Sequence, residues 1–304
     1  MKAITVAEQG IGVEAMTYGD VDYPHAAEND VIVRVQAAGF TTGELTWPGT
    51  WTDRAGRDRT PSIPGHELAG VVHELGYGTT GLTVGQRVFG LTDWTRNGSL
   101  AEYTAVEARN LAPLPANVSY VDGAALAISG LTSWQGLFQH GRLEAGQVAI
   151  IHGAAGAVGS TAVQLAHQAG ARVIGTGRAG DRAAVLEMGA HEFVDLQSDE
   201  LEKVGEADLV FDVLGGEIFQ RSLSVLRDGG RIVTIPAPPP RQPENGIALY
   251  FVVEPNRPEL AELARQVQEG RLRPRVGAVR PLAEAAAAFA PGKGGRGKTI
   301  ITVG

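Results

Sequence analysis

Residues Gln147–Arg178, QVAIIHGAAGAVGSTAVQLAHQAGARVIGTGR, decide the fold of this chain. An apolar run from Val148 to Ile151 leads into a glycine turn from Gly153 to Gly159. An apolar-periodic stretch then runs to Gly170, and a second β-rich run covers Arg172 to Thr176. Strand, tight turn, helix and strand within roughly 30 residues make one βαβ unit. The turn, GAAGAVG, places Gly153, Gly156 and Gly159 among Ala154, Ala155, Ala157 and Val158. Small residues there let backbone approach a ligand closely, while the helix N-terminus offers unpaired N–H groups and partial positive charge to a pyrophosphate. Gly159 stands where the helix must press against the sheet. Val158, Ala162, Leu165 and Ala169 form the expected apolar side of that helix.

The spacing G-x-x-G-x-x-G departs from the dinucleotide pattern G-x-G-x-x-G, and a glycine turn without a ligand is the competing reading. The flanking strands and helix favour the dinucleotide site. About 20 residues on, an acid would hydrogen-bond the ribose of NAD. Here the strand ends Gly175-Thr176-Gly177-Arg178, with no acid before Asp181. A hydroxyl at Thr176 and a guanidinium at Arg178, with Arg182 as a helper, suit a 2′-phosphate. NADP(H) is the expected cofactor.

The chain has 304 residues, 43% of them hydrophobic and 20% charged, which is ordinary for a folded protein of two domains or one large one. A formal net charge of −8 without a long basic run gives no electrostatic footprint for nucleic acid. No apolar stretch approaches the roughly 20 residues a bilayer requires, and MKAITVAEQG has no secretory apolar segment. Cytoplasm is the expected location. The absence of cysteine excludes disulfides and thiolate metal sites.

Residues 1 to about 118 read as β-rich, with strands expected at Val31–Val35, Leu68–Leu75, Gln86–Leu91 and Ala101–Val106. Strands then alternate with helices: Phe193–Asp195, Asp208–Leu214 and Arg231–Ile235, separated by helical segments at 180–188 and 217–227. That alternation implies a doubly wound parallel sheet of Rossmann type. A proline-rich loop, Pro236–Pro243, precedes an expected sixth strand at Tyr250–Val253 and a closing helix at Pro258–Glu269. A short Ala-rich helix near 282–289 and a strand at Thr299–Val303 end the chain.

With these pieces in order, the chain resembles the medium-chain dehydrogenase/reductase superfamily, in its zinc-free, zeta-crystallin-like quinone oxidoreductase branch. The resemblance rests on PSIPGHELAGVV, GLTVGQRVFG and NGSLAEYTAV in the first part. It continues through AALAISGLTSWQGL, IIHGAAGAVGSTAVQLA, FDVLGGEIFQRSL and LRDGGRIVTI in the middle, and PLAEAAAAF with Gly297–Ile301 at the end. It implies a GroES-like catalytic domain over residues 1–118, completed by 272–304, and a Rossmann domain over 119–271. It also implies a homodimer formed through the Tyr250–Val253 edge.

Zinc-dependent members of that superfamily hold zinc through a cysteine, the histidine of a GHE run and a further cysteine or acid. Gly65-His66-Glu67 keeps the GHE pattern, but the cysteine positions fall at Thr41 and about Ile128. One His beside one Glu falls short of a zinc ligand set, so no metal is expected and His66 is read as a hydrogen-bonded residue beside the cleft. Thr132, in GLTSW, matches the family threonine that contacts the nicotinamide, with a helix-capping or buried hydroxyl as the alternative. Thr41 stands where related reductases carry asparagine and is a candidate hydroxyl donor to a substrate carbonyl. Trp47, with Trp51 and Trp94, offers flat walls to a planar substrate or else plugs a loop. Leu214, Pro236, Phe251 and Val253 match positions flanking the nicotinamide half. Arg54, Arg57, Asp58 and Arg59 read as a solvated loop, and His152 as a packed residue.

Gly292–Thr299, GKGGRGKT, satisfies the P-loop pattern but opens a terminal strand instead of a helix, so it is rejected. No tyrosine has a lysine four residues on, which excludes short-chain reductase chemistry. The resulting expectation is a two-domain, NADPH-dependent reductase of quinones or α,β-unsaturated carbonyls. Thr41, Trp47 and Thr132 are expected to converge at the nicotinamide. An enoyl reductase of a polyketide-like intermediate and a non-catalytic NADPH-binding sensor are the alternatives.

Overall fold

The computed structural model describes residues 1–41, 43–290 and 296–304. They form two compact units, Met1–Ile128 with Pro255–Gly304, and Ser129–Glu254.

The first unit holds strands β1 (Lys2–Thr5), β2 (Thr17–Asp20), β3 (Asp30–Gly39), β4 (Glu67–Leu75), β5 (Arg87–Leu91), β6 (Tyr103–Glu107) and β7 (Leu111–Pro113), and the short helix α1 (Pro48–Trp51). The long strand β3 is its spine. It pairs antiparallel with β4, with β6 and with a strand from the far end of the chain. Alternate residues Val31, Val33 and Val35 enter a core that also takes Leu68, Val72, Val88 and Leu111, while Ile32 on the opposite face is buried as well.

Helix α2 (Tyr120–Trp134) carries the chain to the second unit, and a wider turn of helix, Gln135–His140, extends it. There β8 (Val148–Ile151), β9 (Arg172–Gly177), β10 (Glu192–Asp195), β11 (Ala207–Asp212), β12 (Leu226–Thr234) and β13 (Gly246–Tyr250) alternate with helices α3 (Ala157–Gln168), α4 (Arg182–Glu187) and α5 (Gly216–Ser222). The sheet order is β10-β9-β8-β11-β12-β13, and every pair is parallel. Chain order therefore reverses between β8 and β11, the switch point outside whose strand ends a doubly wound sheet takes its ligand. Ala149, Ile150 and Ile151 are all buried, as expected of a central parallel strand.

The sixth strand is displaced from its expected place. It is β13, Gly246–Tyr250, and its register with β12 runs from Gly230↔Gly246 to Thr234↔Tyr250. Since β12 ends at Thr234, Phe251 and the residues after it find no ladder partner.

After α6 (Arg257–Gln268) come β14 (Val276–Pro281), α7 (Ala285–Ala288) and β15 (Lys298–Thr302). The units divide at Ile128 and Glu254, whereas the sequence placed the divisions at 118 and 271. Helix α6 belongs with the first unit because it packs on β7. Arg257 donates to the Ala108 carbonyl, and Asn117 Nδ2 to that of Gln268 at 3.4 Å.

Strand β15 pairs antiparallel with β3, and its first residue, Lys298, forms an ion pair with Glu67 of β4. Glu67 is 0% exposed and Lys298 8%. Lys298 is the lysine of the P-loop-like string, so its ammonium is committed to Glu67. The glycines of that string at 292, 294 and 295 lie outside the described residues. Removing one partner of a buried pair leaves the other charge uncompensated. Lys298→Met is therefore expected to cost about 3–5 kcal/mol of stability, read by denaturant unfolding, with part recovered in Lys298→Met/Glu67→Gln. A Lys298→Met protein as stable as the parent would refute this account.

Candidate active site

The glycine turn leaves β8 at His152. Gly153 has φ 60°, a backbone setting that favours glycine. Gly156 caps α3 without a side-chain hydrogen bond, and the N–H groups of Ala157, Val158 and Gly159 have no intrahelical acceptor. A Cβ on Gly159 would collide with the Gly153 carbonyl oxygen and lie 2.7 Å from its carbon. The helix thus rests on the turn, backbone to backbone. A helix N-terminus without a side-chain cap, over a turn of glycines and alanines, fits a pyrophosphate.

Around this turn the second unit arranges the other strand ends. The carboxylate of Asp212, 0% exposed, closes β11. Its Oδ1 accepts from the N–H groups of Leu214 and Gly215, both at 2.9 Å, and its Oδ2 from Thr234 Oγ1 at 2.9 Å. These bonds shape the loop that exposes Leu214 and sets Gly215 against Pro236. Phe251 and Val253 are buried beyond β13, with the Phe251 ring stacked on His140 at 4.5 Å. Gln135 holds this segment, donating to the Glu254 carbonyl at 2.8 Å and accepting from its N–H at 3.0 Å. Thr132 is 5% exposed on α2.

Thr176 departs from its expected role. It is 0% exposed, and its Oγ1 lies 2.8 Å from His152 Nδ1. A residue with no exposed surface and its hydroxyl on His152 offers little to a ribose phosphate. Arg178 stands exposed after β9. Arg182 is engaged elsewhere, 3.5 Å from Asp199 and over the Phe193 ring at 5.2 Å.

In the first unit, Thr41 and Trp47 flank Glu44, a residue the sequence did not single out. Glu44 is 0% exposed. Its Oε1 accepts from Gly65 N at 2.5 Å and lies 3.5 Å from His66 Nε2, and its Oε2 accepts from Thr41 N at 3.2 Å. His66 Nδ1 is 2.6 Å from Thr92 Oγ1. Trp47 stacks on the His66 ring at 6.4 Å and 22° and meets Trp94 edge-on at 5.3 Å; Trp94 meets His66 at 5.6 Å. Trp51 belongs to the core, 7% exposed, with Nε1 donating to the Leu45 carbonyl at 2.9 Å. Arg59 is not a solvated loop residue. It donates to the Gly49 carbonyl at 2.5 Å and to Asn97 Oδ1 at 3.0 Å, which pins the segment carrying Trp47.

Burial lowers the His66 pKa to about 3, with the nearby Arg59 charge adding to the effect, so the ring is neutral. Burial pushes Glu44 the other way, up to about 7, against the backbone N–H bonds from Gly65 and Thr41. Among the described residues no group of three or more His, Cys, Asp or Glu could hold a metal ion.

Comparison with known proteins fits this geometry. Residues 27–116 match the alcohol dehydrogenase GroES-like domain and residues 188–301 the zinc-binding dehydrogenase family. The quinone oxidoreductase of Sus scrofa is 31% identical over 99% of this chain and 97% of its own. The chain belongs to the quinone oxidoreductase branch of the medium-chain dehydrogenase/reductase superfamily. The 2-methylene-furan-3-one reductase of Solanum lycopersicum is 30% identical over 90% of this chain and 71% of its own. The solved structure of the quinone oxidoreductase from Coxiella burnetii superposes with a TM-score of 0.91 at 26% identity, covering 100% of this chain and 99% of that one. This branch member is an oxidoreductase that uses a nicotinamide cofactor, and its β-rich unit is the GroES-like domain.

Glu44 gives a test of the electrostatics. Its folded pKa, about 7, lies above the ordinary carboxylate value of 4.5. The folded protein therefore binds the proton more tightly than the unfolded chain, and the associated stability is lost as pH rises from about 4.5 through 7. Glu44→Gln does not titrate. Its stability relative to the parent should rise by on the order of 3 kcal/mol between pH 4.5 and 8. Parallel denaturation series would contradict this if the difference stayed constant across that range.

Proposed function

We propose that this oxidoreductase is an NADPH-dependent reductase of quinones or α,β-unsaturated carbonyls that works without metal. The observation that carries the proposal is the aromatic wall of Trp47, His66 and Trp94, beside the Thr41 hydroxyl, which is buried without a partner among the described residues. Flat walls suit a planar acceptor. An unpaired donor suits the oxygen on which negative charge collects as hydride arrives. The relatives named as a quinone oxidoreductase and a furanone reductase support both acceptor classes.

The cofactor, when bound, supplies the hydride. Gly153, Gly156, Ala157, Val158 and Gly159 hold its pyrophosphate in this reading, and Arg178 its 2′-phosphate. Leu214, Pro236, Phe251 and Val253 line the nicotinamide half, and the Thr132 hydroxyl orients the ring. Thr41 donates to the acceptor oxygen, and the remaining proton comes from solvent. Metal independence rests on the chain's lack of cysteine and on the engagement of both His66 ring nitrogens with Thr92 and Glu44.

A panel of quinones and enones, assayed for NADPH oxidation with and without chelator, tests the reading. Acceptor-dependent oxidation that chelator leaves unchanged is expected. Tight NADPH binding without turnover on any acceptor would favour a sensor, and turnover only on acyl-thioester enones would favour a biosynthetic enoyl reductase.

Cofactor choice has its own test. With Thr176 buried, Arg178 carries the preference alone. A hydrogen bond to a charged group contributes about 1.5–3 kcal/mol. Arg178→Ala should therefore weaken NADPH binding about tenfold or more and leave NADH affinity unchanged. Equal affinities of the parent protein for NADH and NADPH would refute the preference.

A further inference from the structure

His152 has no role in the chemistry described above. It follows the last residue of β8, is 0% exposed and immediately precedes Gly153. Its Nε2 lies 2.8 Å from Ser222 Oγ and its Nδ1 2.8 Å from Thr176 Oγ1. Ser222 donates its one hydroxyl hydrogen to the Ile218 carbonyl at 2.7 Å, so toward the ring it accepts. Nε2 therefore carries the hydrogen, Nδ1 is bare, and the Thr176 hydroxyl donates to it. Burial keeps the ring in this neutral form by pushing its pKa down to about 4.

Each partner of the ring is tied to a loop at the sheet's carboxyl edge. The Thr176 carbonyl accepts from Ala154 N at 2.9 Å, inside the glycine turn, and His152 N donates to the Phe211 carbonyl at 3.0 Å. Ser222 ends α5, the helix entered from residues 213–215. That loop touches the glycine turn: a Cβ on Gly153 would lie 2.7 Å from Val213 Cγ2 and 3.5 Å from Leu214 Cδ2. One imidazole thus joins the end of β9, the start of the glycine turn and the helix behind the neighbouring loop.

We propose that His152 is a positioning residue for the nicotinamide cofactor. Its Nε2–H tautomer, held between Thr176 and Ser222, fixes the glycine turn against the 213–215 loop at the spacing a bound dinucleotide requires. The proposal rests on the dinucleotide site at the glycine turn and not on the choice between NADPH and NADH. It assigns Thr176 a role through His152 in place of direct contact with the ribose.

The test measures cofactor Kd by calorimetric titration with NADPH and with NADH, together with kcat at saturating cofactor. Thr176→Val keeps the side-chain shape and removes the donor to Nδ1. It should raise the Kd of the tighter cofactor about fivefold while kcat stays within about twofold of the parent. His152→Leu should raise Kd at least as far, and His152→Gln, which retains an amide donor toward Ser222, should recover part of the loss. In ¹⁵N spectra of the parent protein, His152 should report hydrogen on Nε2 and a bare Nδ1.

A folded Thr176→Val protein whose Kd is unchanged for both cofactors would overturn the proposal even if its Tm fell, because a purely structural role lowers Tm alone. A ring with hydrogen on Nδ1 would overturn it too. Binding of neither cofactor to the parent protein would remove the dinucleotide site itself, and the proposal with it.

Discussion

The backbone of Gly159 lies against the backbone of Gly153 with no room for a Cβ on Gly159, and the second unit is arranged around that contact. It lets α3 descend onto the end of β8 instead of standing off by a side chain. The helix then directs its unpaired N–H groups across the switch point between β8 and β11. Other features serve the same edge. Asp212 accepts two N–H groups to curl the loop after β11, and His152 locks the strand ends from below. Because these polar groups are buried, each must be hydrogen-bonded, and their bonds leave the loops little choice of conformation.

The first unit follows a different rule. Its sheet has no dinucleotide to hold, yet it buries Glu44, His66, Glu67 and Lys298 within its core. The charge of Glu67 is met by Lys298, which also ties the returning strand β15 to β4. His66 is neutral and engaged through Thr92. Glu44 is met by the backbone N–H groups of Gly65 and Thr41 and the His66 edge, and burial outweighs them and the Lys298 charge in setting its protonation. The cluster is costly to bury, and what it holds in place is the backbone of Thr41 and the ring on which Trp47 stacks.

Much of this was legible from residue order. The βαβ unit around GAAGAVG announced itself because a strand, a small-residue turn and a helix are each local consequences of local sequence. The rejection of GKGGRGKT followed from the β-pattern of TIIT after it, and Lys298 and Thr299 do stand on β15. His66 reads as a hydrogen-bonded residue, and its ring does meet Thr92.

Side-chain direction was not legible. Thr176 stands near the end of β9, but strand residues alternate faces, and its hydroxyl was committed only when folding set His152 between it and Ser222. The end of β13 depended on how far β12 ran, and Phe251 lost its ladder for that reason. Glu44 gave no motif, and its importance comes from Gly65 and His66, far along the chain, closing around it with the nearby Thr41. The sequence by itself determined the βαβ cradle, the parallel sheet and the family, since those depend on periodicity and glycine spacing. The tertiary structure alone decided which hydroxyls and carboxyls are buried and what they bind, because burial is a property of neighbours that the chain brings together only on folding.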